Sequence, residues 1–125
     1  MVTGALAAKN INNKLGDEVG LTTLVSDGTG YVKYLVRNGF IHIIILGGNA
    51  GGNGTFKLTK GSYKQIATIP SKYVPTNEVF TPLGWQSGET TGVIARLSTA
   101  GALSVYTAGS QNAYYVGSIT YPYKK

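Results

Sequence analysis

Groups that move protons or hold metals are scarce in this chain. Its 125 residues contain a single histidine, His42, and no cysteine, so no thiolate metal site or disulfide framework is available. Five carboxylates remain, Asp17, Glu18, Asp27, Glu78 and Glu89. The first three fall in an N-terminal arm and an early turn. A glycosidase needs two carboxyl groups held at a set separation. Glu78 and Glu89 flank one strand and its loop, and would have to meet across a barrel or a subunit boundary. No GxSxG elbow prepares a serine nucleophile. The glycine-rich stretch "GGNAGGNGTFKLTKGS" lacks the GxxxxGK[ST] spacing of a phosphate-binding loop and precedes no helix; it reads as a flexible connection between strands. His42 lies in an apolar run and reads as a half-buried residue at a sheet or subunit surface. Catalysis, metal and cofactor are therefore not expected.

Aromatic side chains are better supplied. Nine tyrosines and one tryptophan serve this small domain, and Tyr73, Trp85, Tyr106, Tyr114, Tyr115, Tyr121 and Tyr123 lie near strand ends or in loops. An amphipathic ring offers a flat apolar face to a sugar while its polar tip hydrogen-bonds. Carbohydrate sites add amide and guanidinium groups to such rings. The segment "GSQNAYY" brings Gln111, Asn112 and Tyr114 together, and Arg96 is one of only two arginines. Against this stands the ordinary role of tyrosine as a strand-packing residue.

The net charge is +6, which raises nucleic acid as a partner. The lysines are scattered without a dense cluster, however, so nucleic acid is disfavoured and solubilising strand edges and loops explain the lysines better. No apolar stretch reaches the roughly 18 residues of a membrane helix, and no membrane insertion is expected.

Whatever the site, strands must position it. Asn38-Gly39 is the preferred pair for a two-residue type I′ turn, since both central residues need positive φ. That turn pairs Val36 with Ile41, Tyr34 with Ile43 and Val32 with Ile45, all apolar and all on one face. The opposite face pairs Arg37 with Phe40, Leu35 with His42, Lys33 with Ile44 and Tyr31 with Leu46. It is mixed, yet too apolar for open solvent, and asks for a second cover. A second hairpin, with the three-residue loop Thr99-Ala100-Gly101, sets Leu97 against Leu103, Arg96 against Ser104 and Ala95 against Val105. This register sorts the faces and places Gly101 at a bulge that needs a left-handed residue. Further strands are expected at 22–26, 62–69, 78–83 and 114–121, with 70–76 an extended connection punctuated by proline. The fold class is all-β, an antiparallel barrel or sandwich of about seven or eight strands. Residues 1–20 read as a short arm or stalk and 21–125 as the barrel head.

The phrases "IATIPSKYVPTNEVFTPL", "GVIARLSTAGALSVY" and "YYVGSITYP" resemble the C-terminal head domain of receptor-binding proteins at the tail tip or baseplate of phages infecting Gram-positive bacteria, lactococcal phages among them. The resemblance covers about Ser62 to Tyr123. It implies a homotrimeric antiparallel barrel behind a shoulder or stalk, located in the virion. Such a head binds a host cell-wall saccharide or glycerol-phosphate polymer and docks to other tail or baseplate proteins. A threefold axis would cover the half-dry face through Leu35, Phe40, His42, Ile44 and Leu46. The family's saccharide contacts vary between members, so Trp85, Arg96, Gln111, Asn112 and Tyr114 are chosen on side-chain chemistry and loop position alone. The alternative is a structural tail or baseplate trimerisation module without its own saccharide site.

Overall fold

The computed structural model describes residues 18–28, 30–47, 54–87, 92–108 and 114–123, the last three of the segment ending at 87 by backbone alone. The expected arm lies, for residues 1–17, outside the described residues. Eight strands follow: β1 (Val19–Ser26), β2 (Tyr31–Arg37), β3 (Phe40–Gly47), β4 (Tyr63–Thr68), β5 (Val79–Ser87), β6 (Val93–Leu97), β7 (Ala102–Thr107) and β8 (Tyr114–Pro122). All pairs are antiparallel, in the order β1-β2-β3-β8-β5-β6-β7-β4. The sheet curls until its edge strands β1 and β4 approach one another, giving a half-barrel.

The first hairpin forms in the expected register. Asn38 takes φ 54° and Gly39 φ 80°, the left-handed values that a type I′ turn demands. Val32, Tyr34, Val36, Ile41, Ile43 and Ile45 all point into the core, and their alternate neighbours are half-buried or exposed. The second hairpin also keeps its expected register, Leu97 opposite Leu103 and Arg96 opposite Ser104. Gly101, at φ 92°, donates its N–H to the Ser98 carbonyl at 3.0 Å. Glycine suits that bulge because an L side chain there would be strained.

Three features depart from the linear reading. The strand expected at 78–83 runs on to Ser87 and changes partners: Val79 to Leu83 pair with β6, whereas Gly84 to Ser87 pair with the start of β8. Pro82 and Gly84 sit at this change, where a regular ladder is hard to sustain, and β5 thereby turns the corner between the two parts of the sheet. The glycine-rich connection is anchored in its second half. Phe56 and Leu58 are buried, and Asp27 accepts the Thr55 N–H at 2.9 Å. Isolated apolar residues in a polar loop carry no periodicity, so burial of this kind is decided by tertiary packing alone. Likewise 70–76 is not simply extended: Ser71–Tyr73 forms a 3₁₀ turn that buries Tyr73. The Tyr73 ring lies 5.9 Å from that of Tyr34 and 5.2 Å from that of Tyr123, and its carbonyl accepts the Tyr121 hydroxyl at 2.6 Å. These two plugs join the inward strand residues in one continuous core.

Candidate saccharide-binding surface

On the outer side of β5, β6, β7 and β4 the cross-strand registers build two parallel rows. Phe80, Arg96, Ser104 and Gln65 form one row; Pro82, Ile94, Tyr106 and Tyr63 form the other. Period-two alternation dictates this, because the intervening Leu83, Val93, Ala95, Leu97, Leu103 and Val105 are buried. Phe80, on β5, is 56% exposed and Tyr63, on β4 at the far edge, is 44% exposed, unusual for large rings on one face of a sheet with a filled core.

The Arg96 guanidinium bridges the two rings, 5.6 Å from the centre of Tyr63 and 5.9 Å from that of Phe80. The small Ser104 side chain beside it lets the guanidinium lie across the sheet. Glu78, immediately before β5, holds the arginine in an ion pair through Nε and Oε1. The Tyr63 and Tyr106 rings are 5.2 Å apart and tilted by 42°. The patch thus offers two ring faces, a cation, a carboxylate and hydroxyl groups in one shallow area. Cation–π contacts hold the guanidinium over the rings, and the ion pair limits its swing. The exposed pair itself adds little to stability, about 0–1 kcal/mol; its contribution is orientation.

The structure distributes the sequence-chosen site residues along β5. Arg96 pairs with Phe80 near the start of the strand, whereas the Trp85 backbone pairs with Tyr115 near its end. The five residue steps from Phe80 to Trp85 span roughly 16 Å along the strand at about 3.3 Å per residue. Tyr114 opens β8, is 36% exposed and pairs with Ser87, so it neighbours Trp85 in the ladder rather than Arg96. Gln111 and Asn112 lie outside the described residues, as does Glu89. Tyr73, Tyr115 and Tyr121 are buried in the core and take no part in the Arg96 patch. Sequence reasoning missed Phe80, Tyr63 and Glu78 as companions of Arg96. The alternation in "EVFTPL" could have placed Phe80 outward, but nothing linear announces that β4 lies beside β7.

A second surface runs along the outer side of β2, β3 and β8. Leu35, His42, Ile44 and Leu46 are half-buried there, and Phe40 is exposed. β8 extends it, with Pro122, Thr120, Ser118 and Val116 opposite Phe40, His42, Ile44 and Leu46. His42 Nδ1 is 3.1 Å from the Thr120 hydroxyl, and the Lys33 ammonium sits 4.4 Å over the Tyr31 ring.

A cleft of about 140 Å³ opens between Pro75, Thr76, Asn77, Val79, Tyr121 and Pro122. It lies between the start of β5 and the end of β8, well away from the Gly84–Ser87 segment through which those strands pair.

No known protein family matches this sequence, and no curated protein matches it either. Among solved structures the chain is similar to the head domain of the lactococcal phage bIL170, described under the question of a common fold for the receptor-binding domains of lactococcal phages. The TM-score is 0.57 at 15% sequence identity, with 86% of this chain and 97% of that chain covered. The eight-stranded half-barrel therefore shares its fold with a lactococcal-phage head domain.

Proposed function

We propose that this chain is the head of a phage receptor-binding protein, located at the tail tip or baseplate of a phage of Gram-positive bacteria. It recognises a host cell-wall saccharide without cleaving it. The observation that carries this reading is the exposed ring–guanidinium patch around Arg96 on a barrel that shares the bIL170 head-domain fold. Rings stack on the C–H faces of sugars, and the guanidinium and hydroxyl groups meet their oxygens. Tyr114, at the start of β8 opposite Ser87, supplies a further contact, and Trp85, Gln111 and Asn112 join it on side-chain chemistry alone. The head works as a homotrimer attached to other tail or baseplate proteins. The apolar content of the β2–β3–β8 face, through Leu35, Phe40, His42, Ile44 and Leu46, supports self-association there. Several weak sites on one trimer gain avidity without new contacts.

Binding to purified Gram-positive cell walls tests the reading. Arg96→Ala and Phe80→Ala should each weaken binding about tenfold, in line with the loss of a central arginine or aromatic contact, while leaving the thermal midpoint within a few degrees. Full binding by both variants removes the patch from the site. A folded wild-type protein that binds no wall material favours the structural tail-module reading.

A further inference from the structure

The charge of this protein and the charge of its candidate site point in different directions. The chain carries +6 overall, which on its own would favour an anionic wall polymer. Within the patch, however, the Arg96 guanidinium is already matched by the Glu78 carboxylate. Lys64, the nearest lysine along β4, directs its ammonium to the Gly54 carbonyl at 3.0 Å and sits at the opposite parity from Tyr63 on that strand. The rings beside the ion pair are uncharged and broadly exposed. An incoming phosphate would have to displace Glu78 or accept its repulsion at close range, and either would offset the attraction of the single cation.

We propose that this patch reads an uncharged pyranose unit, with Phe80 or Tyr63 under its C–H face and the Arg96–Glu78 pair spanning two neighbouring hydroxyls. The inference rests on the saccharide-binding reading above and deepens it. The chemistry fits because a vicinal diol offers both donors and acceptors. The guanidinium is donor-only, whereas the ionised carboxylate is acceptor-only. Held together they satisfy one hydroxyl as acceptor and its neighbour as donor, a complement that neither a lone cation nor a lone carboxylate provides. Ser104 and the Tyr106 hydroxyl edge the same area and extend the polar rim. A neutral ligand makes binding nearly independent of salt, in contrast to the steep dependence of an ion-paired polymer.

The discriminating experiment titrates the full chain with methyl pyranosides (gluco, galacto, N-acetylglucosamine and rhamno forms) and, separately, with glycerol phosphate. Backbone amide shifts on β6 and β7 report binding, at low and high salt. At least one methyl pyranoside should shift the amides around Arg96 and Ser104 at both salt concentrations, and glycerol phosphate should not. Glu78→Gln should weaken the pyranoside about tenfold, as expected for removal of a charged hydrogen-bond acceptor, and should strengthen glycerol phosphate by unmasking Arg96. Wild-type binding of glycerol phosphate at this patch in preference to every pyranoside, lost at high salt, overturns the neutral-sugar inference while leaving receptor binding intact. Pyranoside binding unaffected by Glu78→Gln overturns the role of the ion pair. Binding of neither probe, together with no binding to whole walls, overturns both readings.

Discussion

Two tyrosines with polar tips inside the core link the chemistry of single side chains to the stability of the whole. The Tyr115 hydroxyl donates to the Phe56 carbonyl at 2.8 Å and that of Tyr121 to the Tyr73 carbonyl at 2.6 Å. Each therefore ties a strand to one of the loop plugs. Burial raises both hydroxyls far above the usual tyrosine range, and for Tyr115 the negative charge of Asp27 adds to the effect. An unfolded tyrosine ionises near pH 10. Their contribution is thus fully present below about pH 10 and is lost as pH climbs further, because the unfolded chain releases these protons first. Phenolate absorbance from this pair should appear together with loss of near-ultraviolet circular dichroism, and Tyr115→Phe combined with Tyr121→Phe should flatten the decline in stability above about pH 10. Tyr115 also explains a small neighbour: a Cβ on Gly47 would fall within its ring. At this scale the sequence was only partly legible. Arg96 stood out by type, but Tyr115 and Tyr121 looked like possible sugar contacts because nothing in their spacing told an inward hydroxyl from an outward one.

Strand elements divide into those whose partners are local and those whose partners are distant. The two hairpins could be registered residue by residue from their turns, since Asn38-Gly39 and the bulge at Gly101 leave few alternatives. The extent of β5, the placement of β4 at the far edge and the insertion of β8 between β3 and β5 could not, because strand order is set by long-range packing. The loop plugs were hidden for the same reason. Phe56 makes the test: in a loop that merely connects, its truncation would be nearly neutral. Here Phe56→Ala should cost about 3–5 kcal/mol, the usual range for emptying a buried phenylalanine site, measurable by urea denaturation. An equal truncation at Phe80, which is 56% exposed, should change stability by about 0.5 kcal/mol or less.

At the scale of the molecule, the two outward surfaces carry different chemistry. The β2–β3–β8 side is rich in aliphatic residues, while the β5–β6–β7–β4 side gathers rings around a compensated ion pair. This division of labour supports self-association through the first and ligand contact through the second. Light scattering should give the mass of a trimer for the native chain. Ile44→Glu, which sets a carboxylate on the aliphatic side without touching the core, should yield a folded monomer with circular dichroism unchanged and with avidity for cell walls reduced by a hundredfold or so, within the range that linked weak sites provide. A native monomer would remove the self-association proposal and leave the Arg96 patch to be judged alone.

The packed interior has a consequence for how such a protein can change. Because Phe56, Tyr73 and the inward strand residues already occupy the barrel, the described residues enclose a filled core rather than a chamber whose shape must track a ligand. Positions such as Phe80, Ser104 and Tyr63 belong to the outer wall and are nearly decoupled from what keeps the wall upright. Selection acting on the outer surface alone could therefore redraw its outward rows repeatedly, with the scaffold beneath left as it was.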